Sequence, residues 1–339
     1  DPAEMSSLAR RFIDDANLVS GDLVLRAAKR GRNASELMGV VLSRYLIQRE
    51  LGEDRHYGWY FLDDYAEWLG QKAEQIADIL ALSPEIAKDG SRRLAVVISE
   101  SKFIDLASLA AKRKESQKQL RQTLDRIAKA LFGDPGRLDR DIWLSRFSDM
   151  VLNGIHFPAN AQLQLSEWRR SIREGECAIY LRGYSHVFVS GPTDCPECSD
   201  FVQVAEADNS YQEVFSRAKL RELIIHYHHR TDPESVRKRN ADKDVWAEKA
   251  YQRPSDRIRT LVKSPPKAAG KIDGDGKSAP PHDPSAETGA PTKLEPSPPV
   301  VILETVKPAE TSNMFESLKD LLLKAGVVST ASVDSQEEI

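Results

Sequence analysis

The chain has 339 residues, 40% hydrophobic and 29% charged, with a formal net charge of -4. That length supports one or two domains with real cores, and the near-neutral balance neither demands nor excludes nucleic acid, because a local basic patch suffices for phosphate binding. Three cysteines argue against a disulfide framework and for a reducing, cytoplasmic setting, and no run approaches the roughly 20 apolar residues that span a bilayer.

The chain opens Asp1-Pro2-Ala3-Glu4, without Met or a charged-then-apolar leader, and reads as a piece of a larger protein. A first helix runs to Phe12, with Met5, Leu8 and Phe12 on one side. Asn33-Ala34-Ser35 is a good helix entry, and residues 36–51 set Leu37, Val41, Leu42, Tyr45, Leu46 and Leu51 near one apolar face. Tyr57 to Asp64 is aromatic-rich and strand-like, and residues 67–86 read as helical in part. Leu94 to Lys102 is the clearest strand, apolar enough to be buried on both faces. A long helix follows over 106–131 with a core stripe of Leu120, Leu124, Ile127 and Leu131, then another over 139–152. Residues 177–189 read as one or two strands, with Gly183 in a turn, residues 201–206 as another strand, and 211–228 as a helix.

This order predicts an α/β (α+β) fold: a small mixed sheet flanked by helices over residues 1–250. Residues 251–299 are rich in Pro, Lys and Gly and poor in apolar anchors, the composition of a disordered linker. Residues 300–339 hold a short apolar segment and an amphipathic helix from Met314 to Ala325, expected to open a following domain or to dock on a partner.

The chemistry concentrates at the end of the clearest strand. Glu100 and Lys102 are two residues apart, so both project from one face. A carboxylate there suits Mg2+, a hard cation that takes oxygen ligands, and a neighbouring lysine can orient an attacking water and offset charge at a phosphate. Asp63 and Asp64 end the aromatic strand. If that strand lies beside the next, one of them can share the metal with Glu100; Asp64 is favoured as nearer the strand end, with Asp63 as the alternate. A metal so held polarises a phosphodiester and lowers the pKa of its water. Glu36 at a helix start and Gln117 at the edge of the core stripe are further candidates, Gln117 to hold the lysine or a phosphate. Lys112, Arg113, Lys114, Lys118 and Arg121 would give salt-sensitive contact to a nucleic-acid backbone.

Glu36, Asp63-Asp64, Glu100-Ser101-Lys102 and Gln117, in this order on helix, strand, strand and helix, resemble the PD-(D/E)XK nuclease superfamily over residues 34–131. The resemblance implies a restriction-endonuclease-like core, Mg2+ on the acids, a lysine that assists the water, and DNA as substrate. The first acid stands in Leu62-Asp63-Asp64-Tyr65, without the family's Pro. Residues 94–144 also resemble the region ahead of an FtsK/HerA-type DNA translocase in bacterial anti-phage restriction proteins, which implies an ATPase partner or following domain; this chain has no phosphate-binding G-x-x-x-x-G-K-[ST] loop. A homo-oligomer that cuts both strands is left open.

Each feature has a plainer reading. Glu-x-Lys is often a solvated strand end, Glu36 can simply serve its helix dipole, and a basic helix is often a solvated face. Cys195-Pro196-Glu197-Cys198 has zinc-knuckle spacing but no second pair, so a turn with two free thiols is the expectation.

Overall fold

Residues 94–101 of strand β3, Arg92–Asp105, are buried throughout, and the rest of the molecule is arranged around that strand. The computed structural model describes residues 2–19, 34–52, 56–69, 76–132, 140–155, 165–237 and 308–324. The expected linker and the apolar segment before Pro308 lie outside the described residues.

A six-stranded mixed sheet forms in the order β1-β2-β3-β4-β6-β5. Strands β1 (Gly58–Phe61), β2 (Ile79–Ile86) and β3 make an antiparallel meander. Strand β4 (Ala178–Ser190) runs parallel to β3 from Arg93↔Ala178 to Asp105↔Ser190. Strand β6 (Ser210–Phe215) is parallel to β4, and β5 (Asp200–Gln203) closes the far edge antiparallel to β6. Parallel neighbours need a long crossover, which α4 (Leu109–Phe132), α5 (Arg140–Gly154) and α6 (Leu165–Arg173) supply between β3 and β4.

Alternation along β3 divides the core into two layers. Leu94, Val96 and Ile98 pack with Leu120, Leu124, Ile127 and Leu131 of α4. Ala95 and Val97 face the other way, toward α1 (Pro2–Asn17), α2 (Ala34–Leu51) and α7 (Arg217–His229). Helix α2 is buried nearly all round, because it lies between the sheet and other helices, and its apolar residues cover more than one face. The C-terminal helix α8 (Pro308–Lys324) returns to this layer. It contacts α1 and α2, and Leu318 and Leu322 are fully buried. Leu318 and Leu322 of its apolar stripe are thus covered by the chain's own helices.

Several local expectations change. Of residues 67–86, expected to be helical in part, a short helix α3 (Ala66–Leu69) holds the start, and residues 79–86 are a strand. Pro84 pairs with Leu94 of β3 at a position beyond the four-residue match of β1, where its missing N–H leaves no bond unmade on that side. Residues 178–190 form one continuous strand, and Gly183 is an interior residue. A Cβ there would lie 2.5 Å from Leu124 Cδ1 and 2.9 Å from Ser210 Oγ, so the glycine permits close approach instead of a turn. Residues 210–215 are strand, and the helix that follows starts only at Ser216, whose Oγ accepts from the Lys219 amide. Cys195 and Cys198 form a disulfide in a short helical turn, in place of two free thiols or a zinc pair, and Cys177 is the buried free cysteine. No helix among the described residues is long and apolar enough to cross a membrane.

Candidate active site

On the α4 side of β3 the apolar sequence Leu94, Val96, Ile98 ends, and Glu100 and Lys102 continue the same face. Glu100 is fully buried at 0% exposure. The Lys102 ammonium lies 2.7 Å from Glu100 Oε1 and 3.6 Å from Glu115 Oε1 on α4. Glu100 Oε2 has no hydrogen-bond partner among the described residues. A buried carboxylate oxygen without a donor costs free energy unless a proton or a cation meets it.

The second acid is Asp78, the residue just before β2. Its Oδ2 accepts from the Ser101 amide at 2.7 Å and from the Ser101 hydroxyl at 2.5 Å. Those bonds fasten the start of β2 to the stretch of β3 that carries Glu100 and Lys102. The backbone explains the placement: Leu62 N–H donates to the Asp78 carbonyl at 2.8 Å, so β1 ends where β2 begins.

Electrostatics bind these groups into one cluster. Burial raises the Glu100 pKa well above the usual carboxylate range, and the charge of Asp78 adds to that while Lys102 opposes it. Burial also raises Asp78, against the pull of Lys102 and the Ser101 hydrogen bonds, and Asp63 raises it further. Burial works to lower Lys102, but Glu100, Asp78 and Glu115 outweigh it, so its pKa is raised and the ammonium stays charged.

The sequence-derived site needs correction at several points. Asp63 and Asp64 do not end a strand; they lie in the 3-10 turn Leu62–Tyr65, and β2 separates β1 from β3. Asp64 is exposed, whereas Asp63 is partly buried and near enough to act on Asp78. The place given to Asp64 beside Glu100 and Lys102 is held by Asp78. The partly helical reading of residues 67–86 puts no strand start after Asp78, so the sequence does not single that residue out. Glu36 sits in the first turn of α2, one turn before Gly39, whose Cβ position lies 3.0 Å from Ser101 Oγ. The charges that act most on Glu100 are those of Asp78, Lys102 and Glu115. Gln117 does not hold Lys102: its amide donates to Gln212 Oε1 of β6 at 2.9 Å. Glu115, on the same helix, contacts the lysine instead.

The basic helix is largely neutralised by its own fold. Arg113 meets Asp200 at 2.8 Å and Gln212 at 2.9 Å, Arg121 meets Glu206 at 2.8 Å, and Lys112 meets Glu115 at 2.7 Å. Lys114 and Lys118 are exposed.

On the opposite face of the sheet, a buried polar network joins α2, β4, β6 and the segment after α7. Glu50 accepts from the Tyr184 hydroxyl at 2.6 Å and pairs with Arg182. Arg237 pairs with Glu213 at 2.6 Å and lies 3.7 Å from Glu50. His186 Nδ1 is 3.0 Å from Ser43 Oγ and 3.1 Å from Ser99 Oγ. Sequence reading missed this network, since its members are spread from Ser43 to Arg237. Arg182 and His186 within the mostly apolar strand β4 are its signals in the sequence.

Among the described residues no group of three or more His, Cys, Asp or Glu side chains could hold a metal ion. Two carboxylates, Asp78 and Glu100, are the oxygen donors at hand. Mg2+ commonly takes one or two protein carboxylates and keeps several waters, so this donor set and the unpartnered Glu100 Oε2 fit that ion. No family model, curated protein or solved structure matches the chain.

Proposed function

We propose that this chain carries an Mg2+-dependent DNA endonuclease domain of the PD-(D/E)XK type, with Asp78 and Glu100 as metal-holding carboxylates and Lys102 as the residue that assists the attacking water. The observation that carries the reading is the fully buried Glu100, with Lys102 at one oxygen and no donor at the other, beside Asp78. An acid and a lysine on one face of β3, just past its pairing with β2, and a second acid delivered by that antiparallel neighbour, also support it. Bound Mg2+ would supply Lewis acidity toward a phosphodiester and acidify its water. The protein's own residues supply the rest: Ser101 orients Asp78, and Glu115 helps to hold Lys102 over Glu100.

In this reading the domain belongs to a cytoplasmic bacterial DNA restriction or anti-phage defence protein, works with a translocase-type ATPase domain or subunit, and could self-associate to cut both strands. The deciding experiment incubates duplex DNA with the protein and Mg2+, alongside Asp78→Ala, Glu100→Ala and Lys102→Ala. Cleavage by the parent chain and its loss in all three variants is the expected result.

A second reading, a catalytically inactive module that binds DNA or assembles with a translocase, is favoured by the closed Lys102–Glu100 ion pair and by the small metal donor set. Salt-dependent DNA binding with no cutting at any Mg2+ concentration would select it.

A further inference from the structure

The Cys195–Cys198 disulfide encloses Pro196 and Glu197 in the short helical turn between β4 and β5. Two observations set it apart from a structural staple. The bonded cysteines are only 3 apart in sequence, and a loop that short removes little freedom from the unfolded chain. The turn is also fastened without the S–S bond. The Cys198 amide donates to the Cys195 carbonyl at 2.9 Å, the Cys195 amide to Asp194 Oδ1 at 2.9 Å, and Arg217 to the Pro192 carbonyl at 3.0 Å. The Ser216 amide, at the entry of α7, donates to Ser199 Oγ at 2.9 Å. These bonds hold the two cysteine backbones in place, with Cα atoms 5.4 Å apart, inside the span that a disulfide takes. Two thiols released here would stay within reach of each other.

The pair is also open to a reagent. Both cysteines are half-buried within a run of exposed residues, Pro192, Thr193, Asp194, Pro196 and Glu197, whereas Cys177 is fully buried. In the first turn of α7 the Ala218 amide donates to Asp194 Oδ1 at 3.3 Å, so a carboxylate answers that helix end. Asp194 and Glu197, next to the cysteines in the chain, work against a thiolate, and Arg217 works for one. The reactivity therefore comes from access and preorganisation rather than from an acidified thiol.

We infer that Cys195 and Cys198 form a thiol–disulfide exchange site whose substrate is a dithiol. One thiolate of the dithiol attacks a sulfur of the pair, the Cys195–Cys198 bond breaks, and the released cysteine leaves as a thiolate that takes a proton. The second thiol of the dithiol then attacks the mixed disulfide, and the other cysteine leaves in the same way. Two electrons and two protons pass from the dithiol to the protein, and the dithiol becomes an internal disulfide. A small disulfide in excess runs the exchange in reverse. No step uses Glu100, Lys102, a metal or DNA, so the site is independent of the nuclease reading.

The test treats the folded full chain with dithiothreitol, quenches with an alkylating agent at intervals and counts the alkyl groups by mass. Two are expected within minutes and without denaturant, while Cys177 stays unmodified. Oxidised glutathione should then return the count to zero, with no glutathione left on the protein. In Cys198→Ser the same oxidant should stop at one glutathione on Cys195, because the thiol that resolves the mixed disulfide is gone. Reduction should lower the melting temperature of the parent chain by less than about 3 °C. Four outcomes overturn the proposal: reduction that needs urea, a pair that does not close again, a glutathione adduct that persists on the parent chain, or a larger fall in melting temperature, which would mark a structural staple.

Discussion

Asp78 and Ser101 are joined twice, by the Ser101 amide at 2.7 Å and its hydroxyl at 2.5 Å, both to the same Asp78 oxygen. This link carries the acid of one strand to the acid and lysine of the next. The amide bond is made by backbone and survives changes at Ser101, so the orientation of Asp78 depends mainly on the β2–β3 register.

Alanine variants discriminate the geometric site from the sequence-derived one. In a DNA cleavage assay with Mg2+, Asp78→Ala, Glu100→Ala and Lys102→Ala are each expected to reduce the rate by at least about 100-fold, the scale of a lost acid–base or charge-stabilising group. Asp64→Ala, at an exposed position in the turn after β1, is expected to stay within about threefold of the parent. Equal loss in Asp64→Ala would return that residue to the site.

Glu100 should make stability fall with rising pH. Its pKa in the folded chain is raised well above 4.5, so above that pH the folded state holds a proton that the unfolded state has released. Its unfavourable contribution therefore grows as pH climbs from the ordinary carboxylate range toward the raised value. The raised pKa of Lys102 acts only in alkali, above its ordinary 10.5. Glu100→Gln should flatten the slope of unfolding free energy against pH between about 5 and 8 and stabilise the protein at pH 8. Urea unfolding at several pH values measures this, and an unchanged slope would remove Glu100 as its cause.

Mg2+ should raise the thermal midpoint of the parent chain, because an ion that binds only the folded state stabilises it by mass action. The same titration on Glu100→Gln should give a much smaller shift. Equal shifts would place the ion elsewhere.

The Arg237–Glu213 pair is almost fully buried, at 1% exposure on each side chain. Arg237→Ala leaves the Glu213 and Glu50 charges without that partner and should destabilise the fold by about 3–5 kcal/mol. Denaturant midpoints at constant slope check the value, and a loss under about 1 kcal/mol would contradict it.

Thiol counting tests the disulfide. Of the 3 cysteines, one should react after unfolding without reductant and three after reduction. In the folded chain Cys177 should resist alkylation at neutral pH, since burial pushes its pKa up to about 12. Three reactive thiols without reductant would contradict the pairing.

The local pattern of residues was enough for the mixed α/β class, for the buried strand through Ile98, for the stripe of α4, and for Glu100 and Lys102 on one face. Those are consequences of periods of 2 and 3.6 residues, which the chain carries in itself. Tertiary structure alone decided which acid stands beside them. Asp78 is a lone aspartate in an unpatterned stretch, and it becomes part of the cluster only because β2 inserts between β1 and β3. Gln117 and Arg113 look like ligand-facing residues until β5 and β6 arrive with Asp200 and Gln212 to engage them. Likewise Glu50, Arg182, Glu213 and Arg237 show no common motif along the chain. Strand order and helix packing set which distant charges meet, and a one-dimensional period holds no information about that pairing.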